Sequence, residues 1–100
     1  MSISTTLSFH KASRIESIAP ISVTNTLGSM TISPGQGIIS LRNWGTKVVW
    51  VGGPETDADT EYGWPLIQGD AYEVPDAREE ITVYYHCASG DTSTLVGMIR

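Results

Sequence analysis

The sequence contains few of the residues on which small enzymes and disulfide-stabilised domains depend. It has one cysteine, two histidines and six basic residues in 100 positions. The single Cys87 leaves no partner for an internal disulfide, so packing or assembly has to supply the stability. Because Cys87 lies within an apolar strand pattern, we expect a small buried side chain rather than a nucleophile.

Long apolar runs are also missing. No stretch reaches the roughly 18 apolar residues that a transmembrane helix needs, and the N-terminus has no basic segment followed by an apolar one. We therefore expect a protein that is made in the cytoplasm without processing and has no membrane partner.

The charge distribution argues against nucleic acid as a partner. The formal net charge is −5, with residues 1–17 carrying a net +1 and residues 18–100 a net −6. An acidic body repels phosphates, and no stripe of Lys and Arg is present to release counterions. The basic excess near the N-terminus fits a solvated tail better than a site for an acidic partner.

No recognisable catalytic or metal-binding motif is found in the sequence. His10 and His86 are far apart, and Cys87, directly after His86, points to the opposite face of a strand, so the two cannot chelate one metal. Nucleophile-elbow and phosphate-loop patterns are absent as well. We expect neither enzymatic activity nor a cofactor.

The acidic segment from Pro54 to Glu61 is the best candidate for calcium, because its carboxylates alternate along the chain. A calcium loop of the common helix–loop–helix type needs Gly at its sixth position and Glu at its twelfth. Counted from Asp57, those positions are Tyr62 and Gln68. The pattern therefore favours an exposed, solvated loop without a buried face.

Short segments with alternating apolar and polar residues, separated by Gly- and Pro-containing turns, predict a β-rich fold. The pattern in residues 18–33 favours a hairpin, and residues 95–99 are expected to pair back onto residues 81–87 across the turn at residues 89–91. About seven such strands indicate an all-β fold, either an antiparallel β-sandwich or a small jelly-roll-like barrel. Residues 1–17 match neither period and predict an extended N-terminal arm before a sandwich domain at 18–100.

The tryptophans divide into one core candidate and two surface candidates. Trp50 lies within the apolar run from Lys47 to Val51 and is predicted to be core. Trp44 and Trp64 stand beside glycines, where an aromatic side chain caps the core, anchors a protein interface or stacks on a sugar. The candidate interface residues, from the arm and from these loop edges, are Phe9, Lys11, Arg14, Trp44, Tyr62 and Trp64.

The last 60 or so residues resemble the small β-sandwich virion proteins of tailed bacteriophages. The resemblance is carried by the turn and strand from Asn43 to Gly52, the Gly-x-Pro-Leu-x-x-Gly-Asp turn from Gly63 to Asp70, and the final strands from Ile81 to Ile99. Such proteins decorate or cement capsids, or lie at head, tail and fibre junctions. The resemblance gives no functional residue to transfer beyond the turns and the arm.

This resemblance implies a capsid cement or decoration protein that is located in the virion and that binds and stabilises the capsid lattice through its N-terminal arm and sandwich edges. Its expected partners are the major capsid protein or other virion proteins, and sister copies in a symmetric homo-oligomer, with a trimer favoured. The alternative is a tail- or fibre-associated recognition module that binds a host-surface glycan through Trp44, Tyr62 and Trp64.

Overall fold

The computed structural model describes residues 15–76 and 78–100 of the chain. Those residues form eight β-strands and no helix, so the all-β prediction is confirmed, with one strand more than the turn signals predicted. None of them belongs to a helix able to cross a membrane. The strands are β1 (Glu16–Val23), β2 (Gly28–Ile32), β3 (Ile39–Asn43), β4 (Val49–Gly52), β5 (Trp64–Leu66), β6 (Ala71–Val74), β7 (Ile81–His86) and β8 (Ser93–Ile99).

The strands form two four-stranded sheets that pack face to face. The first sheet has the order β1-β8-β3-β6 and the second has the order β2-β7-β4-β5. All paired strands are antiparallel. The predicted sandwich is therefore present.

Strand pairing is nested along the chain. β1 pairs with β8, β2 with β7, β3 with β6 and β4 with β5. This is the pattern of one long hairpin rolled up so that alternate strand pairs enter different sheets, which defines a jelly roll. The predicted sandwich therefore has the strand order of a jelly roll.

The two hairpins predicted from the sequence are wrong. β1 and β2 belong to different sheets, because the connection at residues 24–27 crosses the sandwich instead of turning back within one sheet. β8 likewise pairs with β1 and β3 and not with β7. Turn residues identify where a strand ends, but they do not specify which strand pairs with the next one.

The core lies between the two sheets and is built by alternation. In β3, Ile39 and Leu41 are fully buried while Ser40 and Arg42 face outward. The same alternation in the other strands gives one continuous cluster. Its fully buried larger side chains include Val23, Met30, Ile32, Ile39, Leu41, Val49, Val51, Leu66 and Leu95.

The structure bears on three expectations about individual residues. Cys87 is completely buried among the apolar residues, as predicted. Trp50 is only half-buried and lines the outer face of the second sheet, because its neighbours Val49 and Val51 are the residues that point inward. Glu16 and Ser17, which the sequence analysis assigned to the arm, are the first residues of β1.

Candidate interaction surface

A buried asparagine at the end of β3 fixes the loops around the candidate surface. The Asn43 side chain donates from Nδ2 to the carbonyls of Lys47 and Leu66, at 2.7 Å each. Its Oδ1 accepts from the Gly45 amide at 3.1 Å and from the Ser93 hydroxyl at 2.6 Å. All hydrogen-bonding positions of the amide are thus used, and this satisfies a polar group with no solvent exposure.

Trp44 follows this anchor and is 64% exposed. Its backbone amide donates to the carbonyl of Thr94 on β8 at 2.8 Å, so the residue continues the β3–β8 ladder. Because Asn43 points into the sandwich, alternation turns the next side chain outward. The tryptophan is therefore presented to solvent by a fixed backbone.

Trp44 borders an open groove on the outer face of the first sheet, which we call the Trp44 groove. Its volume is about 560 Å³. The groove crosses β3 and β8, where Ser40 lies opposite Met98 and Arg42 lies opposite Val96. The charged and apolar side chains that line it include those of Arg42, Trp44, Ala71, Val96, Met98 and Arg100.

The charge of the groove is opposite to that of the whole chain. Arg42 and Arg100 line it, and none of the described lining residues is acidic, although the chain carries a net −5. Arg100 pairs with the Glu73 carboxylate at the border. No described carboxylate lies within ion-pair distance of Arg42. The guanidinium of Arg42 is thus available to an external acceptor.

The acidic segment between β4 and β5 makes more contacts with the rest of the fold than its sequence pattern predicted. Thr56 and Ala58 are buried, at 5% and 6% exposure. Asp57 and Tyr62 exchange two backbone hydrogen bonds, at 3.0 and 2.8 Å. The expectation of a loop without a buried face is therefore wrong, because the segment folds over the outer face of the second sheet.

His86 on β7 holds this loop in place. Its Nδ1 accepts a hydrogen bond from the Ala58 amide at 2.8 Å, and its Nε2 lies 2.8 Å from the carbonyl of Asn25. An amide can only donate, so Nδ1 carries no proton and Nε2 donates to the carbonyl. The geometry therefore fixes one neutral tautomer that joins the loop to β7 and to the β1–β2 connection.

Asp59 attaches the same loop to the turn after β7. Its carboxylate accepts from the amide and the hydroxyl of Ser89, at 2.9 Å each. The Ser89 amide, followed by the Ser89 hydroxyl, lowers the pKa of Asp59 from its ordinary value. Among the described residues, no three His, Cys, Asp or Glu side chains come together as a metal site.

The phenol of Tyr85, in β7, and the thiol of Cys87, directly after β7, both face inward. Burial raises the pKa of Cys87, and the charge of Asp91 raises it further. Burial also raises the pKa of Tyr85, whose hydroxyl donates to the carbonyl of Ser29 at 3.2 Å. Both groups are kept neutral, which fits structural roles.

The six residues predicted for an interface do not form one site. Phe9, Lys11 and Arg14 lie outside the described residues. Trp44 lines the groove on the first sheet, whereas Tyr62 and Trp64 belong to the loop before β5 and to β5 itself, in the second sheet. Tyr62 and Trp64 are 59% and 65% exposed.

Sequence reasoning missed the other members of the Trp44 groove. The strand expected at residues 95–99 includes Val96 and Met98, but no sequence motif marks Arg42 as an interaction residue. The alternation within β8 was visible, but its pairing with β3 was not. Without that pairing, no sequence signal places Arg42 beside Val96.

Comparison with known proteins does not assign the chain to a family. No protein-family model matches the chain, and no curated protein or solved structure shows significant similarity to it.

Proposed function

We propose that this protein is a structural protein of a bacteriophage particle, a capsid cement or decoration protein without enzymatic activity. It binds the major capsid protein through the Trp44 groove. The proposal is supported by the resemblance in residues 43–99 and by the chemistry of the groove. Jelly rolls are common among capsid proteins, although fold alone assigns no function.

The observation that carries the proposal is the combination of Trp44, Met98 and Arg42 on one rigid sheet face. Tryptophan, methionine and arginine are enriched at the centres of protein interfaces, and acidic residues are depleted there. The partner surface is expected to offer an apolar pocket for the indole and a carboxylate for the unpaired Arg42 guanidinium. A neutral, apolar partner surface would leave that guanidinium buried without a partner.

The test is binding to capsids assembled from the major capsid protein of the same phage. Co-sedimentation is measured for the wild type, Trp44→Ala and Arg42→Glu, with Trp64→Ala as a control of equal side-chain loss on the second sheet. Central Trp and Arg residues of interfaces cost about 2 kcal/mol or more on truncation, which is roughly thirtyfold in affinity. Two results would contradict the proposal: both groove variants bind capsids as tightly as the wild type, or the wild type does not bind them at all.

A second candidate function rests on the exposed pair Tyr62 and Trp64. Two aromatic side chains separated by one glycine at a loop and edge strand form a platform on which a sugar ring can stack. In this case the protein is a recognition module of a phage tail or fibre. Glycan-array binding that is lost in Trp64→Ala and kept in Trp44→Ala supports this candidate, and the reverse loss pattern on capsids supports the first.

A further inference from the structure

In the part of the chain that the structure describes, four strands form the sheet edges of the sandwich: β1 and β6 in the first sheet, β2 and β5 in the second. An edge strand exposes unpaired backbone donors and acceptors, which can pair with another chain. Natural proteins block such edges with proline, charge, bulges or very short strands. The four edges differ in how far they use these devices.

Three of the edges are blocked. β1 contains Pro20, begins with Glu16 and has an irregular register between Ile18 and Ile21. β5 is three residues long with Pro65 at its centre. β6 has four residues, includes Glu73 and is followed by proline.

β2 has none of these features. The strand Gly28–Ile32 contains neither proline nor a charged residue, and its register with β7 is unbroken over five pairs. Leu27, just before it, is 41% exposed. The one described side-chain bond to its backbone is from the Tyr85 hydroxyl to the Ser29 carbonyl, which retains a second lone pair.

We propose that β2 is a self-association edge, at which a second copy of this chain adds its own β2 in antiparallel orientation. The pair would merge two four-stranded sheets into one across a two-fold axis. Copies of a chain with net charge −5 repel each other, and this repulsion is smallest where the contacting strand is uncharged. A strand also presents the same pattern to its own copy, as a two-fold contact requires.

The register follows from the middle residue of the strand. Antiparallel pairing centred on Met30 places Ser29 opposite Thr31 of the second copy. Both side chains are half-buried, while Met30 and Ile32 point into the core. Substitutions at Ser29 and Thr31 therefore change the contact without altering the packed interior.

A two-fold pair at this edge differs from the trimer that the sequence resemblance implies. A trimer needs a head-to-tail contact between two different surfaces. The inference does not depend on the proposed function, because it is tested on the free protein without capsids.

The experiment measures molar mass by analytical ultracentrifugation over a concentration series. The wild type is expected to form dimers, whereas Ser29→Lys/Thr31→Lys and Ser29→Glu/Thr31→Glu are each expected to be monomeric because like charges meet across the axis. An equimolar mixture of the two variants is expected to restore a dimer. The control Ser17→Lys/Ser22→Lys adds the same charge to exposed positions of β1 and should dimerise like the wild type.

Circular dichroism and the thermal midpoint establish that each variant is folded. A monomeric wild type, a trimer, a dimer that survives in both charged β2 variants, or loss of the dimer in the β1 control would overturn the proposal. So would a mixture that stays monomeric, since a strand contact between copies requires the opposite charges to attract.

Discussion

The hydroxyl of Ser93 donates to Oδ1 of Asn43 at 2.6 Å inside the sandwich, and neither side chain has more than 7% exposure. This bond joins the first residue of β8 to the last residue of β3, which directly precedes Trp44 in the chain. It belongs to a set of four bonds in which the Asn43 side chain joins the β3–β4 loop to strands β5 and β8.

Asn43→Ala is expected to be among the more destabilising single substitutions in this chain. It would leave the buried carbonyl of Leu66 and the hydroxyl of Ser93 without their partners, at about 1–3 kcal/mol for each unsatisfied group. Urea unfolding followed by tryptophan fluorescence measures the loss. Ser93→Ala removes one of the four bonds and should cost clearly less; equal costs for the two variants would contradict the hub role of Asn43.

His86→Ala is expected to loosen the loop at residues 54–62 while the sandwich stays folded. The variant removes the Nδ1 acceptor of the Ala58 amide and the Nε2 donor to the carbonyl of Asn25. A buried amide that loses its acceptor costs about 1–3 kcal/mol. This cost should fall on the loop, because His86 is not part of the apolar core cluster.

Hydrogen exchange of the Ala58 amide tests this expectation. In His86→Ala, the protection factor of that amide should fall by about tenfold more than those of amides in β3. The control Glu55→Ala, at an exposed position of the same loop, should keep the wild-type protection. Equal protection of Ala58 in His86→Ala and in the wild type would contradict this role of the ring.

Asp59 is expected to contribute to acid sensitivity. Its folded-state pKa lies below the ordinary value of an aspartate because the amide and hydroxyl of Ser89 bond the ionised form. A lowered pKa means that the stabilisation is present above the unfolded pKa and is lost as the pH falls through the folded value. Thermal midpoints recorded from pH 5 downward should therefore decline more steeply in the wild type than in Asp59→Asn, with Glu55→Gln as a matched control on the same loop.

Gly28→Ala is expected to destabilise the fold although the position has half-exposed, ordinary backbone. An added Cβ would lie 2.3 Å from Cε1 of Tyr85, whose ring covers the glycine. Displacing a buried ring typically costs about 1–3 kcal/mol. Thermal unfolding should show that Tyr85→Leu partly relieves the cost in the double variant; strictly additive effects would mean that the ring is not the cause.

The strand positions were largely predictable, because apolar and polar residues alternate visibly in β2, β3 and β7. The partner of each strand was not, since alternation is a property of one segment and pairing depends on distant ones. The candidate site shows the same division. Trp44 was identified from its own neighbours, whereas Arg42 and Met98 join it only through the β3–β8 register.

The loop at residues 54–62, which lies over His86, shows a second reason why part of the structure could not be predicted from the sequence. Four acids in eight residues predict solvent exposure, and the carboxylates of Glu55 and Glu61 are indeed on exposed residues. The two buried positions of the segment, Thr56 and Ala58, are too small and too weakly apolar to produce a pattern. The contact that holds Ala58 is made by a histidine 28 positions away in the chain.

The nested pairing of the strands has a consequence for the time course of folding. β1 pairs with β8, so the first sheet closes only when Glu16 reaches Ile99, its register partner. Among the described strands, β4 and β5 alone are both consecutive and paired. Folds dominated by such distant pairings assemble in milliseconds to seconds, because the entropy of closing long loops is lost before contacts compensate for it. Until β7 has formed and paired with β2, both sides of the uncharged β2 segment are open to misassembly, so dilute conditions should favour refolding in vitro.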